Sequence, residues 1–205
     1  MPRPRFHTLA SERQEAILRA ALDEFSTHGF TEASLNRIIT AASLSKGSMY
    51  YYFDSKDDLY VHLLRVQVEQ MVAHAGPFPV PTAAEPCAYW SAIEDYCLRL
   101  VKALDASPQL ARLLRDWMSG TGVPALEQAQ RDAEQTALPW LAQALAAGQE
   151  IGAIRTDIPD ALLLAVITAI GRVIDSWVIA EAPNPLDHAA AVHTIVGILQ
   201  RAIQP

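Results

Sequence analysis

The stretch that decides the fold reads Ser43-Leu44-Ser45-Lys46-Gly47-Ser48-Met49-Tyr50-Tyr51-Tyr52-Phe53-Asp54-Ser55-Lys56. It predicts a helix of about two turns, which the hydroxyl of Ser45 caps and which ends before Asp54. Met49 and Phe53 are one helical turn apart, so they share a face that we expect to point into a small core. Neighbouring side chains on a helix differ by about 100°, so three consecutive tyrosines cannot all be buried on that face. We therefore expect tyrosine rings to meet solvent or a partner.

The residues around this helix predict a helix-turn-helix unit. Ser34 is a natural N-cap for a short helix over residues 35–42, and a tight turn over residues 42–44 joins it to the helix quoted above. Upstream, residues 11–14 read as a capping box, and the helix that starts there ends at His28-Gly29. Downstream, Ser55 caps a longer helix with acidic residues in its first turn.

The rest of the chain is also predicted to be helical. Residues 76–86 contain four prolines and form the clearest linker. We expect Pro139 to kink or break the helix in which it lies. The fold class is therefore all-α, with about nine helices, a helix-turn-helix domain over residues 1–54 and a second helical domain over residues 55–205. The later helices are predicted over residues 86–104, from 108 onward, 125–150, 160–181 and 186–203, with a turn over residues 152–159.

The helix predicted over residues 160–181 is apolar nearly all round, so it must be buried on every side. One face can meet its own domain, and a second subunit is the simplest cover for the other. The last helix is its natural companion, which predicts a homodimer built from the last two helices of each subunit. A completely intramolecular core is the alternative.

Composition limits the class of protein. The chain has 205 residues, of which 51% are apolar and 19% charged, as in a globular protein. No apolar run reaches the roughly 18 residues that span a bilayer, and the N-terminus lacks the apolar region of a secretory signal. Two cysteines fit a reduced compartment. We therefore expect a cytoplasmic protein that does not enter a membrane.

The net charge of −7 does not exclude DNA binding, because the acidic residues are unevenly distributed. Residues 1–65 carry eight basic and eight acidic side chains, whereas residues 66–205 carry eight basic and fifteen acidic ones. Phosphate binding needs only a local positive face. The first eight residues form a basic arm with Arg3 and Arg5, which is either a disordered tail or an arm that reaches into a DNA groove.

Side-chain chemistry assigns roles within the helix-turn-helix unit. The second helix of such a unit enters the major groove. Lys46 can donate to guanine or to phosphate, and Gly47 lets the helix N-terminus approach the base edges closely. Ser48 and the tyrosine hydroxyls can donate to phosphate oxygens.

Residues 12–65 resemble the DNA-binding domain of the TetR family of bacterial transcriptional regulators. The matching pieces are Ile17 to Phe25, His28-Gly29-Phe30, Ser45 to Phe53 and Ser55 to Leu59. The family's usual turn is Ala-Gly-Val, whereas this chain has Ala42-Ser43-Leu44. Because that backbone favours glycine, we expect Ser43 to be mildly strained.

The resemblance implies that residues 1–54 bind DNA and that residues 55–205 bind an effector and form the dimer. The protein would be a ligand-responsive regulator, most simply a repressor, that binds a palindromic operator in double-stranded DNA as a dimer and is released by a small-molecule effector. Bases would be contacted from the recognition helix and from one residue of the supporting helix, and phosphates from the residues around them. The implied DNA-binding residues are Ser34, Asn36, Arg37, Ser45, Lys46, Gly47, Ser48, Tyr50, Tyr51, Tyr52 and Lys56.

The resemblance also implies an effector pocket in the later helices. Large side chains could line it, although each of them could equally be plain core. Arg172 and Asp175 interrupt the most apolar helix, and they could pair with each other, serve the dimer interface or touch a ligand. The candidate ligand-binding residues are Tyr96, Trp117, Met118, Trp140, Arg172 and Trp177.

Motifs for catalysis, metals and cofactors are missing from the sequence. There is no nucleophile elbow, phosphate-binding loop or dinucleotide fingerprint, and no histidine has neighbours with metal-ligand spacing. We expect neither an enzyme nor a metal or cofactor. The remaining alternatives are a helical ligand-binding module that has lost DNA binding, and a regulator controlled by a protein partner without small-molecule induction.

Overall fold

The computed structural model describes residues 2–77, 85–119, 122–181 and 188–205, without the side chains of residues 175–181 and 188. These residues form α-helices joined by turns and contain no strand, which confirms the predicted all-α class. A short 3-10 helix, Pro4–Phe6, precedes them. The nine helices of the described part are α1 (Ser11–Glu32), α2 (Leu35–Ala41), α3 (Lys46–Tyr52), α4 (Lys56–Ala75), α5 (Pro86–Asp105), α6 (Pro108–Met118), α7 (Pro124–Glu150), α8 (Asp160–Glu181) and α9 (His188–Ile203).

Most helix ends follow the predicted signals. Gly29 has φ +68°, so the regular part of α1 ends at the predicted glycine, before a last turn that closes at Glu32. The backbone N–H of Asp58 donates to Ser55 Oγ over 3.2 Å, which confirms the cap of α4. Helix α8 has the predicted bounds, Asp160–Glu181.

The predicted capping box of α1 is wrong, and the predicted break at Pro139 does not occur, whereas a kink at Pro139 stays a prediction. The cap of α1 is the backbone of Ala10, whose carbonyl accepts from Arg13 and Gln14, so Ser11 lies inside the helix and forms no capping box. Helix α7 continues through Pro139 without a break. The linker predicted over residues 76–86 and the start of the last helix at residue 186 fall largely outside the described residues.

Residues 1–70 and 107–131 form one compact unit, in which α6 packs along α1. Tyr60 of α4 is fully buried there and its hydroxyl donates to the carbonyl of Leu113 over 2.9 Å. Burial raises the pKa of this phenol far above its usual value. The backbone N–H of Phe30, which follows the break at Gly29, donates to Asp116 over 2.5 Å. Helix α6 is thus bonded to the same unit as the helix-turn-helix elements.

Residues 71–106 and 132–205 form the second unit, with α5 packed on α9. Its core contains Tyr89, Trp90, Leu145 and Ile154 together with residues of α8 and α9. The hydroxyl of Tyr89 donates to the carbonyl of Ala144 over 2.9 Å, and burial raises its pKa to about 12. The predicted domain boundary between residues 54 and 55 remains a prediction.

Candidate nucleic-acid interface

Helix α3 is capped and anchored as its sequence indicates. Ser45 Oγ accepts the backbone N–H of Ser48 over 3.1 Å, and the hydroxyls of these two serines lie 2.7 Å apart. On the inner side, Met49 is fully buried and Phe53, directly after the helix, is 1% exposed. The helix is therefore fixed at its first residue and along one face, so its outward side chains have a defined orientation.

The outward side of α3 carries cationic, aromatic and small residues. Lys46 and Gly47 are exposed, and a side chain at position 47 would meet no atom within 4 Å. Tyr50 and Tyr51 are 46% and 45% exposed, unusually high for rings of this size. Tyr52 is half-buried beside Phe6, with ring centroids 6.3 Å apart. Tyr50 and Tyr51 are thus available to a partner, whereas Tyr52 packs against the N-terminal arm.

The turn before α3 confirms the strain expected at Ser43. Ser43 has φ +52°, the left-handed conformation that favours glycine. Two hydrogen bonds hold the turn in place. The Leu44 N–H donates to the carbonyl of Ile39 over 2.9 Å, and the Arg13 guanidinium donates to the carbonyl of Ser43 over 3.0 Å. The supporting helix α2 and the recognition helix therefore keep a fixed angle.

Arg37 and Ser34, both predicted to contact phosphate, are tied to Glu24 of α1. The guanidinium of Arg37 donates to the two carboxylate oxygens over 2.5 to 3.0 Å, and the backbone N–H of Ser34 donates over 2.7 Å. The bond from Arg37 holds the pKa of Glu24 below its usual range, against its burial. Glu24 is 9% exposed. These groups join α2 to α1, and their predicted DNA contacts would have to use the Ser34 hydroxyl and the remaining Arg37 donors.

Lys56, also predicted to contact phosphate, forms hydrogen bonds within the protein. Its ammonium donates to the carbonyls of Phe30, Thr31 and Ala33 over 2.7 to 3.2 Å and lies over the Phe30 ring. A lysine ammonium has three protons, so these bonds occupy it fully. What position 56 offers to a phosphate is its backbone N–H at the start of α4. Asn36 remains exposed on α2.

The N-terminal arm is not a disordered tail, and its contact with a DNA groove stays a prediction. It is folded onto the end of α3. The Arg3 N–H donates to the carbonyl of Tyr52 over 2.8 Å, and its guanidinium pairs with Asp54. Phe6 is 1% exposed and packs against Phe53, with ring centroids 4.9 Å apart. The signal that was available is Phe6 itself, a large apolar residue within an otherwise polar and proline-rich arm.

The arm also covers a buried histidine of α4. His62 is 4% exposed and lies between the rings of Phe6 and Phe53, at centroid distances of 5.2 and 6.0 Å. Its Nδ1 is buried and makes no hydrogen bond. Burial, with smaller contributions from Arg65 and His7, lowers the pKa of His62 to about 4, so the ring is neutral at pH 7.

The candidate effector residues are divided between the two units. Trp117 and Met118 are half-buried in the first unit, where the indole N–H donates to the carbonyl of Leu126 over 3.4 Å. In the second unit, Tyr96 is buried with Arg99 over its ring, and Trp140 is 41% exposed. Arg172 lies 3.6 Å from Glu134 of α7. The side chains of Asp175 and Trp177 lie outside the described part of the structure.

Neither a metal site nor a membrane-spanning helix is found among the described residues. No three or more His, Cys, Asp or Glu side chains are grouped so that they could hold a metal ion. No helix in this part of the chain is long and apolar enough to cross a membrane.

The family model described as "Bacterial regulatory proteins, tetR family" matches residues 17–63, a range that begins within α1 and ends within α4. The chain is 36% identical over 103 residues to the HTH-type transcriptional regulator RutR of Escherichia coli, a match that covers 50% of this chain and 46% of RutR. This match thus spans about half the length of RutR. The chain is 30% identical over 156 residues to the HTH-type transcriptional repressor SCO4008 of Streptomyces coelicolor, covering 76% of this chain and 74% of the relative.

Solved structures share the fold over nearly the whole chain. The transcriptional regulator FadR from Bacillus subtilis, in complex with stearoyl-CoA, aligns with a TM-score of 0.70 at 18% identity over 93% of this chain and 99% of its own. A tetR family transcription regulator from Shewanella aligns with a TM-score of 0.68 at 18% identity over 93% and 97% of the two chains. The solved structures show the shared fold, and the family model together with the 30% identity to SCO4008 establishes that the chain belongs to the TetR family of bacterial transcriptional regulators.

Proposed function

We propose that this protein is a repressor that binds a palindromic operator as a homodimer and is released when a small molecule binds its second unit. The observation that carries the proposal is the outward surface of α3. It presents an exposed lysine and two exposed tyrosines from a helix whose inward residue, Met49, is fully buried. A surface of this kind on the second helix of a helix-turn-helix unit is suited to the major groove.

The balance of charge in the first unit supports DNA as the partner. Glu24 and Asp54 are both occupied by arginines, so their negative charges are compensated inside the protein. Lys46 extends from the first turn of α3, where free backbone N–H groups already favour an anion. The side of the unit that holds α3 can therefore attract phosphate although residues 1–65 have no net charge.

The apolar surface of α8 and α9 supports the homodimer. Leu162 and Val173 of α8 are 54% and 70% exposed, and Ile198 of α9 is 46% exposed. Leu162, Ala165, Ala169 and Val173 follow one another at intervals of three or four residues, so they form one stripe along α8. A second copy of the chain, placed by a two-fold axis, would cover the same stripe on both protomers.

Release by a small molecule is supported by the family and by a structural neighbour. SCO4008 is described as a repressor, and the FadR neighbour was solved with stearoyl-CoA bound. An effector acts on DNA binding when it binds better to a conformation that fits DNA worse.

The experiment is a selection of binding sites from random-sequence DNA by the purified protein. We expect an inverted repeat whose half-site centres are one helical turn apart, about 10 base pairs, or a multiple of this spacing. Footprinting and sedimentation of the complex should then show an even number of protomers on each site. Enrichment of no sequence, or of a single unrepeated half-site bound by one protomer, would contradict the proposal.

The repressor assignment has its own test. A reporter gene placed behind the selected site should be expressed at a lower level when the protein is present. Higher expression would identify an activator and would leave the DNA-binding part of the proposal intact.

A further inference from the structure

The N-terminal arm is anchored to the recognition helix at two points. Arg3 binds the last residue of α3 through its backbone and Asp54 through its guanidinium, and the resulting pair holds the pKa of Asp54 below its usual range. Phe6 is inserted beside Phe53 and His62. Pro4, at the start of the 3-10 helix, fixes the backbone between these points. The residue between the anchors therefore has a defined place.

That residue is Arg5, and its guanidinium lies on the ring of Tyr51. The distance from Arg5 Cζ to the ring centroid is 4.1 Å, well within the range of a cation–π interaction. Arg5 is exposed, and its carbonyl accepts the hydroxyl of Thr8 over 2.8 Å, so the backbone at Arg5 is held as well. Tyr51 thus orders a long cationic side chain on the outward side of α3.

The two arginines of the arm differ in charge compensation. Arg3 is paired with Asp54, whereas Arg5 makes no ion pair with any residue of the described ranges. The cation of α3 itself, Lys46, precedes Tyr51 by five residues, which corresponds to about 7.5 Å along a helix axis. The arm therefore adds a second uncompensated cation near the other end of the exposed surface of α3.

We propose that Arg5 contacts a DNA phosphate and that the Tyr51 ring positions it there. The inference rests on the DNA binding proposed above and extends the contact surface beyond the helix-turn-helix unit. A stacked guanidinium keeps its outer N–H donors free for a phosphate oxygen, and ordering by the ring reduces the entropy lost on binding. A phosphate contact carries no sequence information, so Arg5 should contribute equally to specific and random DNA.

The test measures affinity for a random-sequence 30-base-pair duplex between 50 and 200 mM salt, where no operator is needed. The plot of log K against log salt has a negative slope, and Arg5→Ala should make it less steep by about 0.9 for each bound protomer. Arg5→Lys should keep the slope of the wild type. Arg112→Ala, which removes one exposed arginine of α6, is the matched control and should leave the slope unchanged. Unfolding midpoints should show that every variant is fully folded at the temperature of the binding assay.

The role of the ring is tested by repeating Arg5→Ala in two backgrounds. In Tyr51→Phe the ring remains, so removing Arg5 should lower affinity as much as in the wild type. In Tyr51→Leu the stacking partner is gone, so the loss should be at least threefold smaller than in the wild type. Equal losses of affinity in the three backgrounds would show that the Tyr51 ring does not position Arg5.

The outcomes separate this inference from the function it rests on. A wild-type slope in Arg5→Ala, with weakened binding in Lys46→Ala, would overturn the role of the arm and leave DNA binding in place. A wild-type protein with no salt-dependent binding to the duplex would overturn both. A loss in Arg5→Ala confined to one selected sequence would show base reading and would likewise contradict a phosphate contact.

Discussion

Helices α3 and α8 both expose large side chains, but they expose them in different chemical settings. On α3 the exposed rings carry hydroxyls, and the cations Lys46 and Arg5 are also exposed there. On α8 the exposed residues are Leu162 and Val173, whose side chains have no polar atom. The first surface can bind a hydrated, charged polymer, whereas the second gains free energy only when water is removed from it.

The comparison shows why exposure alone does not identify a partner. Tyr51 is 45% exposed and Leu162 is 54% exposed, a small difference. What separates them is whether donors and cations accompany the apolar surface. We propose that the surface of α3 binds DNA and that the apolar stripe of α8 binds a second protomer.

The largest effect is expected at the apolar surface. Val173→Glu places a charge on each side of the proposed interface, and an uncompensated buried charge costs about 3 kcal/mol or more. Dimerisation measured by sedimentation equilibrium should therefore weaken by about a hundredfold or more. Val72→Glu, at a 40% exposed valine of α4, is the matched control and should leave the dimer unchanged. A fully dimeric Val173→Glu protein would place the interface elsewhere.

A smaller effect is expected at His62, which is buried beside Phe53 at the end of α3. The pKa of His62 is about 4 in the folded protein, below the ordinary value of 6.5, so between these pH values the unfolded chain binds a proton that the folded chain does not. Stability linked to His62 is therefore present above pH 6.5 and is lost as the pH falls towards 4. Between pH 7 and pH 4.5 the loss is on the order of 2 kcal/mol.

His62→Phe should remove this part of the pH dependence. Urea unfolding at pH 7 and pH 4.5 gives the free energy of unfolding that each protein loses on acidification. This loss should be smaller in His62→Phe than in the wild type. His74→Gln, which changes an exposed histidine on the same helix, should behave like the wild type. Identical pH dependence in His62→Phe and wild type would mean that His62 is solvated.

The smallest effect is expected at the turn before α3. Ser43 has φ +52°, so Ser43→Gly should raise the free energy of unfolding by up to about 1 kcal/mol, less the entropy that glycine loses on folding. Ser43→Val should lower it, because a branched side chain disfavours this conformation more strongly. Chemical denaturation of the three proteins gives the order, and a Val variant as stable as the Gly variant would show that the turn has relaxed.

Local features of the fold were predictable from the sequence. The cap at Ser45, the inward pair Met49 and Phe53, and the strain at Ser43 depend on residues within one or two turns of each other. The bounds of α8 were predictable because Asp160 and the prolines around the helix mark its ends. Ser11 was a misleading signal because the cap of α1 is Ala10, one residue before the predicted cap. Side-chain types alone do not settle a helix start to within one residue.

The tertiary partners in the candidate site could not be predicted in the same way. Arg37 meets Glu24 and Lys56 meets the carbonyl of Phe30, pairs that are 13 and 26 residues apart. Periodicity shows which face of a helix is polar, but it does not show which distant group satisfies a given charge. The same limit applies to Arg3 and Asp54, 51 residues apart, and therefore to the docking of the whole arm.

The central claim is that the exposed surface of α3 holds the operator, and one measurement tests it most directly. Affinity for the selected operator should be compared between the wild type and the double variant Lys46→Ala/Tyr50→Ala, after both are shown to be folded dimers. Each base contact contributes about 1–3 kcal/mol, so we expect the double variant to bind at least a hundredfold more weakly. A folded, dimeric double variant with wild-type affinity for the operator would contradict the claim.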